Sequence, residues 1–273
     1  MAHAVWKGAI SWGLVNIPVS LRTGVRESRI HFRMLHGKDK SPVHFDRVCQ
    51  KEGKVVPWDD LVKGYEYAKG KFVVLTDEDF EKAALEKSRT VDIVDFVSED
   101  DVDDRFFETP YYVLPDKGGE KAYSLLREAM RDSGKMGIAK IILREVQHIA
   151  ALTVIKDALV LTLMRFADEL VDLNEFQFPK AGVVRSQELK MAKMLVENLS
   201  AAWSPDKYTD EYRANLMRLI KAKVKGKQPE LKVQNVEHKA EVVDLMSRLQ
   251  ESLKGTSQAV RRRGRHKVAH RVA

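Results

Sequence analysis

Cys49, His36 and His44 fall within one stretch, FRMLHGKDKSPVHFDRVCQKEGKVV (Phe32–Val56). Thiolate and imidazole are zinc ligands, and a thiolate is also a nucleophile. A tetrahedral zinc site takes three or four ligands at tight spacing. This stretch falls short in number and spacing, and its context is polar and rich in turns. A lone cysteine is more often a small packed hydrophobe than a nucleophile. Glu145 and His148 could form an acid–base pair, but in a strand-like run an odd offset points them to opposite faces. The acidic run SEDDVDD (Ser98–Asp104) lacks the glycine and terminal glutamate of a calcium loop, so it reads as a solvated acidic loop. The chain carries no GxxxxGK[ST], GxSxG, HExxH or CxxC pattern, and DKGGEK reads as a turn before a helix. These residues predict no catalytic residue, no metal site and no cofactor.

What the stretch does hold is positive charge. Ser28–Lys54 has seven Lys/Arg against three acids, whereas Asp92–Glu108 has eight acids against Arg105. The tail Gly255–Ala273 has six cations and no acid, and supplies most of the net charge of +7. One face can therefore be strongly positive while the body stays near neutral, a property that concerns partners rather than fold. Clustered Lys and Arg neutralise phosphates and release counterions, which gives affinity without sequence readout. Arg29, Arg33, Lys38, Lys40, Arg47, Lys51 and Lys54 are the candidate phosphate contacts, with Arg261, Arg262, Arg263, Arg265 and Lys267 of the tail as a second group. Few aromatic residues accompany them, which favours duplex over single-stranded nucleic acid.

The elements that must position these residues are mostly strands. Residues 4–21 alternate as strand, with a change of phase at Gly13 where a bulge would fit and with Pro18 marking an edge or bend. Residues 31–35 and 43–48 are short strand candidates joined by GKDKSP. KFVVLT, TVDIVDFV, PYYVLP, GIAKIILREV, HIAALTVI and ALVLTLMRF are further strands. Thr76 and Asp79 form a capping box for a helix to about Leu85. EKAYSLLREAMRDSG is a helix with Leu125, Leu126, Ala129 and Met130 on one face and Gly134 as its stop. Many strands around one helix predict a barrel-like β core. The apolar run IAALTVIKDALVLTLM is broken by Lys156 and Asp157 and too short to span a bilayer, so it reads as two buried strands.

From Ser186 the pattern turns helical. SQELKMAKMLVENLS is capped by Ser186, with Leu189, Ala192, Leu195, Val196 and Leu199 inward. A second helix starts from Ser204 and Pro205 and ends at Gly226, and a third lies within AEVVDLMSRLQESLK. The arginine-rich tail has no apolar period and reads as disordered. The single cysteine permits no internal disulfide and fits a reducing cytosol; no signal-peptide pattern opens the chain.

The opening AVWKGAISWGLVNIPVSL resembles the N-terminus of bacterial Ku proteins, through Trp6, Gly8, Ile10, Gly13, Leu14, Val15, Ile17, Pro18 and Val19. The resemblance runs on through FRMLHGKDKSPV, LVKGYEY, KFVVLTDEDF, YYVLPDKGGEKAYSLLREAM, GIAKIILRE and PDKYTDEYRANLMRLIKAKVKGK. It implies a mixed α+β fold with a β-barrel core (1–185), a bridge at about 28–70 that encircles DNA in a homodimeric ring, a helical region (186–254) and a basic tail (255–273). It implies a non-enzymatic protein of the cytoplasm and nucleoid. Such a protein binds double-stranded DNA ends and recruits a dedicated multifunctional ligase, ligase D, for non-homologous end joining, with no membrane partner. Arg144 is a further candidate DNA contact. Tyr208, Tyr212, Arg213 and Leu216 are candidate ligase contacts, although their helix could equally pack on the barrel or on a second protomer. Where many relatives have CxxC this chain has CQKE, so a metal or redox role for that pair is in doubt here. From the residues alone, a general nucleoid protein indifferent to ends, or a nuclease using the acidic loop with a divalent metal, are the alternatives.

Overall fold

The computed structural model describes residues 3–26, 28–83, 89–180 and 184–226. The chain divides into two compact units, 1–175 and 176–273. The predicted helix beyond residue 240 and the tail lie outside the described residues.

The first unit is built on a closed seven-stranded barrel, in the order β1 (Trp6–Trp12), β2 (Val15–Thr23), β6 (Phe107–Pro115), β9 (Ala158–Met164), β8 (Val146–Ile155), β7 (Lys135–Leu143) and β5 (Thr90–Ser98). Ile10, Ile17, Leu21, Val91, Leu152 and Leu161 are fully buried in its interior. Alternation along β2 puts Ile17, Val19 and Leu21 inward and leaves Arg22 on the outer face. Every ladder is antiparallel except the seam that closes the barrel, where β1 runs parallel to β5 with Ala9 opposite Thr90. Gly8 stands at that seam. A Cβ there would lie 2.1 Å from the Arg89 carbonyl oxygen and 2.4 Å from the Trp6 ring.

The phase change at Gly13 is a two-residue hairpin rather than a bulge. Trp12 pairs with Val15, and Gly13 takes φ +60°, as the first central residue of a type II′ turn does. Pro18 sits inside β2 opposite Ala9, one residue short of the β6 ladder, which starts at Val19 and Pro115. The Ala9 N–H bonds outward to Arg89, so at this pair position 18 has no ladder partner to donate to, and a proline fits.

The helix α2 (Glu120–Ser133) connects β6 to β7 and ends at Gly134, which takes φ +64°. Its buried residues are Tyr123, Leu126 and Met130, which join the barrel interior. Leu125 and Ala129, expected on that face, are exposed, because Tyr123 sets the face one step round the helix. The Tyr123 hydroxyl donates to the Val113 carbonyl at 2.9 Å and accepts from the Leu159 N–H at 2.8 Å. Those two residues face each other across the β6–β9 ladder, so one buried hydroxyl ties the helix to both strands.

The acidic run after β5 forms two 3-10 turns, Glu99–Asp101 and Asp104–Phe106. Their acids point to solvent. Val102 and Phe106 pack on a second cluster around Met136, Ala151 and Met164. Asp103 is held down to about 2 by hydrogen bonds from the Arg105 side chain, then from its backbone N–H. The loop is thus a lid over one barrel wall whose charges are partly paired.

Between β2 and β5 the chain makes a long insertion. It holds β3 (Lys63–Ala68) and β4 (Lys71–Leu75), a two-stranded sheet of their own, and the short helix α1 (Asp77–Ala83). The Thr76–Asp79 capping box is present: Thr76 N–H donates to Asp79 Oδ2 at 2.9 Å and Asp79 N–H to Thr76 Oγ1 at 3.3 Å. The two strands expected at 31–35 and 43–48 are not formed. Single bridges join Leu35 to Pro42 and Val48 to Val55, so each expected strand instead starts its own small hairpin.

In the second unit α3 (Ser186–Leu199) and α4 (Glu211–Val224) are described. Arg185, not Ser186, is the N-cap of α3, and its N–H is taken by the Glu188 carboxylate at 2.9 Å. The helix predicted from Ser204 begins later. Pro205–Lys207 is a single 3-10 turn, and Asp210 caps α4 by accepting from the Arg213 N–H at 2.8 Å. Leu189, Val196 and Leu199 of the expected inward stripe are exposed.

Tyr123→Phe keeps the packed ring but strands the Val113 carbonyl and the Leu159 N–H in the interior. The expected loss is about 1–3 kcal/mol of stability, read from the urea midpoint. An unchanged midpoint would show that the hydroxyl does not tie these elements together.

Candidate nucleic-acid interface

Seven of the sequence-predicted cations fall in the first half of the insertion, which folds there into two small hairpins. In the first hairpin the His36 N–H bonds to the Ser41 carbonyl and the Val43 N–H to the Met34 carbonyl. This puts Lys38 and Lys40 on its turn. Lys40 takes φ +62°, and its ammonium donates to the Gly37 carbonyl at 2.5 Å. Asp39, between the two lysines, turns back into the loop and accepts from the Ser41 N–H (3.0 Å), the Ser41 hydroxyl (2.8 Å) and His36 Nδ1 (2.9 Å). Those bonds, the Ser41 backbone first, hold its carboxyl below the usual range. The acid is therefore spent on the fold of the turn, while both lysines are exposed, Lys40 with its ammonium also bonded to the turn.

In the second hairpin the Cys49 N–H bonds to the Lys54 carbonyl and the Gly53 N–H to the Cys49 carbonyl, both at 2.8 Å. Lys51 is exposed on this turn. Arg47 lies on the strand side with its guanidinium 4.1 Å above the Trp58 ring. That contact fixes the cation without neutralising it. Cys49 is half-buried, and Glu52 stands three residues after it. Among the described residues no three His, Cys, Asp or Glu side chains are grouped to hold a metal ion. Arg29 and Arg33 are exposed in the run that leads into the first hairpin, where Arg29 has an interaction partner.

Arg144 sits elsewhere. With Glu145 it forms the β7–β8 turn, at φ +51° and +70°. Glu145 is therefore a turn residue and not part of a strand, and His148 is opposite Ile141 in the ladder. Val91 pairs with Ile141, so this turn projects from the rim at which the insertion re-enters the barrel. Arg261, Arg262, Arg263, Arg265 and Lys267 lie outside the described residues. In the second unit Tyr208 stacks on Trp203 at 5.1 Å, Tyr212 is exposed, Arg213 is in the first turn of α4 and Leu216 is half-buried.

Sequence reasoning missed three things. It did not find β3, where LVKGYEY carries only a short alternation. It did not find Arg22 and Arg26, which flank the exit of the insertion; the outward phase of β2 was the available signal. Nor did it foresee how apolar the exposed surface of the insertion is. Phe45 is 76% exposed, Trp58 68% and Tyr65 65%. From Val25 to Ala83 the described residues include no buried side chain.

The chain matches the family model described as the Ku70/Ku80 beta-barrel domain over residues 11–191. The chain belongs to the Ku family. It is 46% identical over 263 residues to the "Non-homologous end joining protein Ku" of Opitutus terrae, covering 96% of this chain and 95% of that one. The protein of the same name from Bacillus subtilis is 39% identical, with 93% and 82% covered, and that of Pseudomonas aeruginosa is 36% identical, with 98% and 94% covered. The Ku match runs from the end of β1 through the rest of the barrel and the insertion to the start of α3, so the basic hairpins belong to the family region. No helix among the described residues is long and apolar enough to cross a membrane.

The Asp39 carboxylate stays charged through the physiological range, and its contribution to the turn is lost only as pH falls through its lowered value. Ser41→Ala removes one of the bonds responsible. An NMR titration should then show the Asp39 midpoint moving up; no movement would mean that the hydroxyl bond is not made in solution.

Proposed function

We propose that this protein binds the ends of double-stranded DNA without sequence preference, as a homodimer whose insertions encircle the duplex, in the joining of broken ends. The observation that carries this reading is the identity, over almost the whole chain, to relatives named for non-homologous end joining. The insertion supports it in two ways. Its Lys38 and Lys40 sit on an exposed turn whose acid, Asp39, is occupied within the loop, which suits phosphates. Its aromatic and aliphatic side chains lie open in a single copy, and a second copy of the same segment is a self-complementary cover.

A closed ring needs no base contacts, because topology holds it on the duplex and phosphates are equivalent along DNA. Such a ring loads at an end and slides inward. Binding of this kind through about six to ten phosphates would weaken roughly 10³–10⁵-fold between about 50 and 200 mM salt if charge alone held it. A threaded ring escapes only through an end. On linear DNA with both ends blocked after loading, release at raised salt should be much slower than on open linear DNA. Equal release rates would exclude threading. Closed circular DNA should compete poorly against linear DNA of the same length; equal competition would favour the second reading, a general DNA-coating protein without end preference. Light scattering should give twice the 31.2 kDa chain mass.

The proposal extends to a ligase, ligase D, as the partner of the second unit. The stacked Trp203–Tyr208 pair and Tyr212 present rigid aromatic surface, the kind of side chain that anchors interfaces. Tyr208→Ala with Tyr212→Ala should abolish stimulation of that ligase while leaving DNA binding intact. Stimulation that persists would return these residues to packing. Removing residues 255–273 should weaken binding to circular DNA more than to ends. Equal losses on both would take the tail out of this role.

A further inference from the structure

Where the insertion leaves the barrel, a groove of about 690 Å³ runs along the outer wall of β2 and β6 towards α2. Its rim carries Arg22, Arg26 and Arg127. Arg22 and Tyr112 are directly opposite in the β2–β6 ladder, and both point outward because Leu21 and Val113 beside them are buried. The three arginines are not equivalent. Arg127 is committed: its Nε donates to Glu128 and its Nη1 to the Asp157 carbonyl, both at 2.9 Å. Arg22 is half-buried, and its Nε is enclosed without a hydrogen-bond partner among the described residues. Arg26 is exposed on the first turn of the insertion.

Two acids also line the groove, and both are otherwise engaged. Glu120 accepts from the Gly118 N–H at 3.0 Å, and the Asp157 carboxylate lies 3.6 Å from Arg131. Among the described residues neither Arg22 nor Arg26 has an ion-pair partner, and both line the groove beside the ring of Tyr112 and an apolar floor that includes Pro115. Guanidinium groups pair with phosphate in a planar, bidentate manner. An aromatic ring next to them suits the apolar face of a sugar.

We infer that this groove is a phosphate site for the DNA backbone on the barrel wall, in which Arg22 and Arg26 hold a phosphate and Tyr112 packs against its sugar. The inference rests on the duplex-binding reading above. It adds to that reading a fixed contact on the rigid barrel, at the point where the insertion begins. The Arg22 Nε is enclosed, so a phosphate in the groove would meet the outer nitrogens of its guanidinium. Arg26, on the insertion, can move with that segment. A phosphate bound by both would hold the base of the insertion against the duplex.

The test uses the full chain and a short linear duplex. Arg26→Gln, Arg22→Gln and, as a control on β7, Lys140→Gln are compared by anisotropy over a series of salt concentrations. Thermal melting checks that each is folded, and Arg22→Lys serves if Arg22→Gln is not. Each arginine substitution should lower the slope of log K against log salt by about one, and Lys140→Gln should not change it. Slopes that are unchanged in the arginine variants, with the wild type still binding ends, would overturn the site and leave the end-binding reading standing. Equal slope losses in all three variants would also overturn it, because they would reflect the general field of the protein. A wild type that does not bind duplex ends would overturn both readings. A free deoxynucleoside monophosphate tested by calorimetry separates the remaining source. If it binds the wild type but not the variants, and the duplex slopes do not differ, the groove serves a free nucleotide and the DNA assignment fails.

Discussion

The parallel seam between β1 and β5 is the constraint on which the rest of the first unit depends. Antiparallel neighbours can follow one another through a tight turn, but a parallel pair needs a long connection. β2 carries the chain back to the rim where β1 starts, and β5 must begin at that same rim. Everything between Gly24 and Arg89 is therefore free to leave the barrel and return to one end of it. The barrel is closed with no open edge, so its stability does not require the insertion to pack on it. Gly8 makes the seam possible, since any side chain at that position would meet the Arg89 carbonyl.

This separation of roles explains the surface. The barrel buries its apolar residues in one interior cluster, tied through the Tyr123 hydroxyl to the helix that spans β6 to β7. Among the described residues the insertion buries none, yet it carries exposed aromatic side chains such as Phe45, Trp58 and Tyr65. Small hairpins are marginal in water on their own. Local devices hold these ones in shape: the Asp39 carboxylate within its turn, Arg47 over Trp58, and Lys63 over Phe80 at 4.4 Å. Apolar surface left open on such a scaffold fits a segment completed by association. The charges follow the same division. Acids on the lid beside β5 are partly paired with Arg105, while cations on the insertion and at its roots are presented outward.

Charge alone would make an indifferent DNA binder. Rigid placement changes what the same cations can do. A lysine on a defined turn or an arginine locked in a groove meets a phosphate without first losing much conformational freedom. Arg22 lies on the barrel wall, Arg144 on the turn at the returning rim and the lysines on the hairpins of the insertion, so the cations are spread over the barrel and the insertion.

The sequence by itself determined the barrel strands apart from the hairpin at Gly13 that divides β1 from β2, the helix α2 with its stop at Gly134 and the Thr76–Asp79 cap. These depend on residue alternation, helical spacing and local hydrogen bonds, all of which act within a few positions. The basic character of Ser28–Lys54 was legible for the same reason, and the motif series from Trp6 onward pointed to the family. Residues 31–35 and 43–48 have the composition of strands joined by GKDKSP, but the hairpins at 34–43 and 47–56 take their register from turn bonds at Lys40 and Gly53 and not from an apolar period. The inward face of α2 was misjudged because the partner of Tyr123 is a ladder far away in sequence. Only the tertiary structure decided the parallel closure, the exposure of the insertion and the meeting of Arg22 with Arg26 in one groove. Each depends on which strands become neighbours, and a single sequence carries that pairing only through contacts between distant residues.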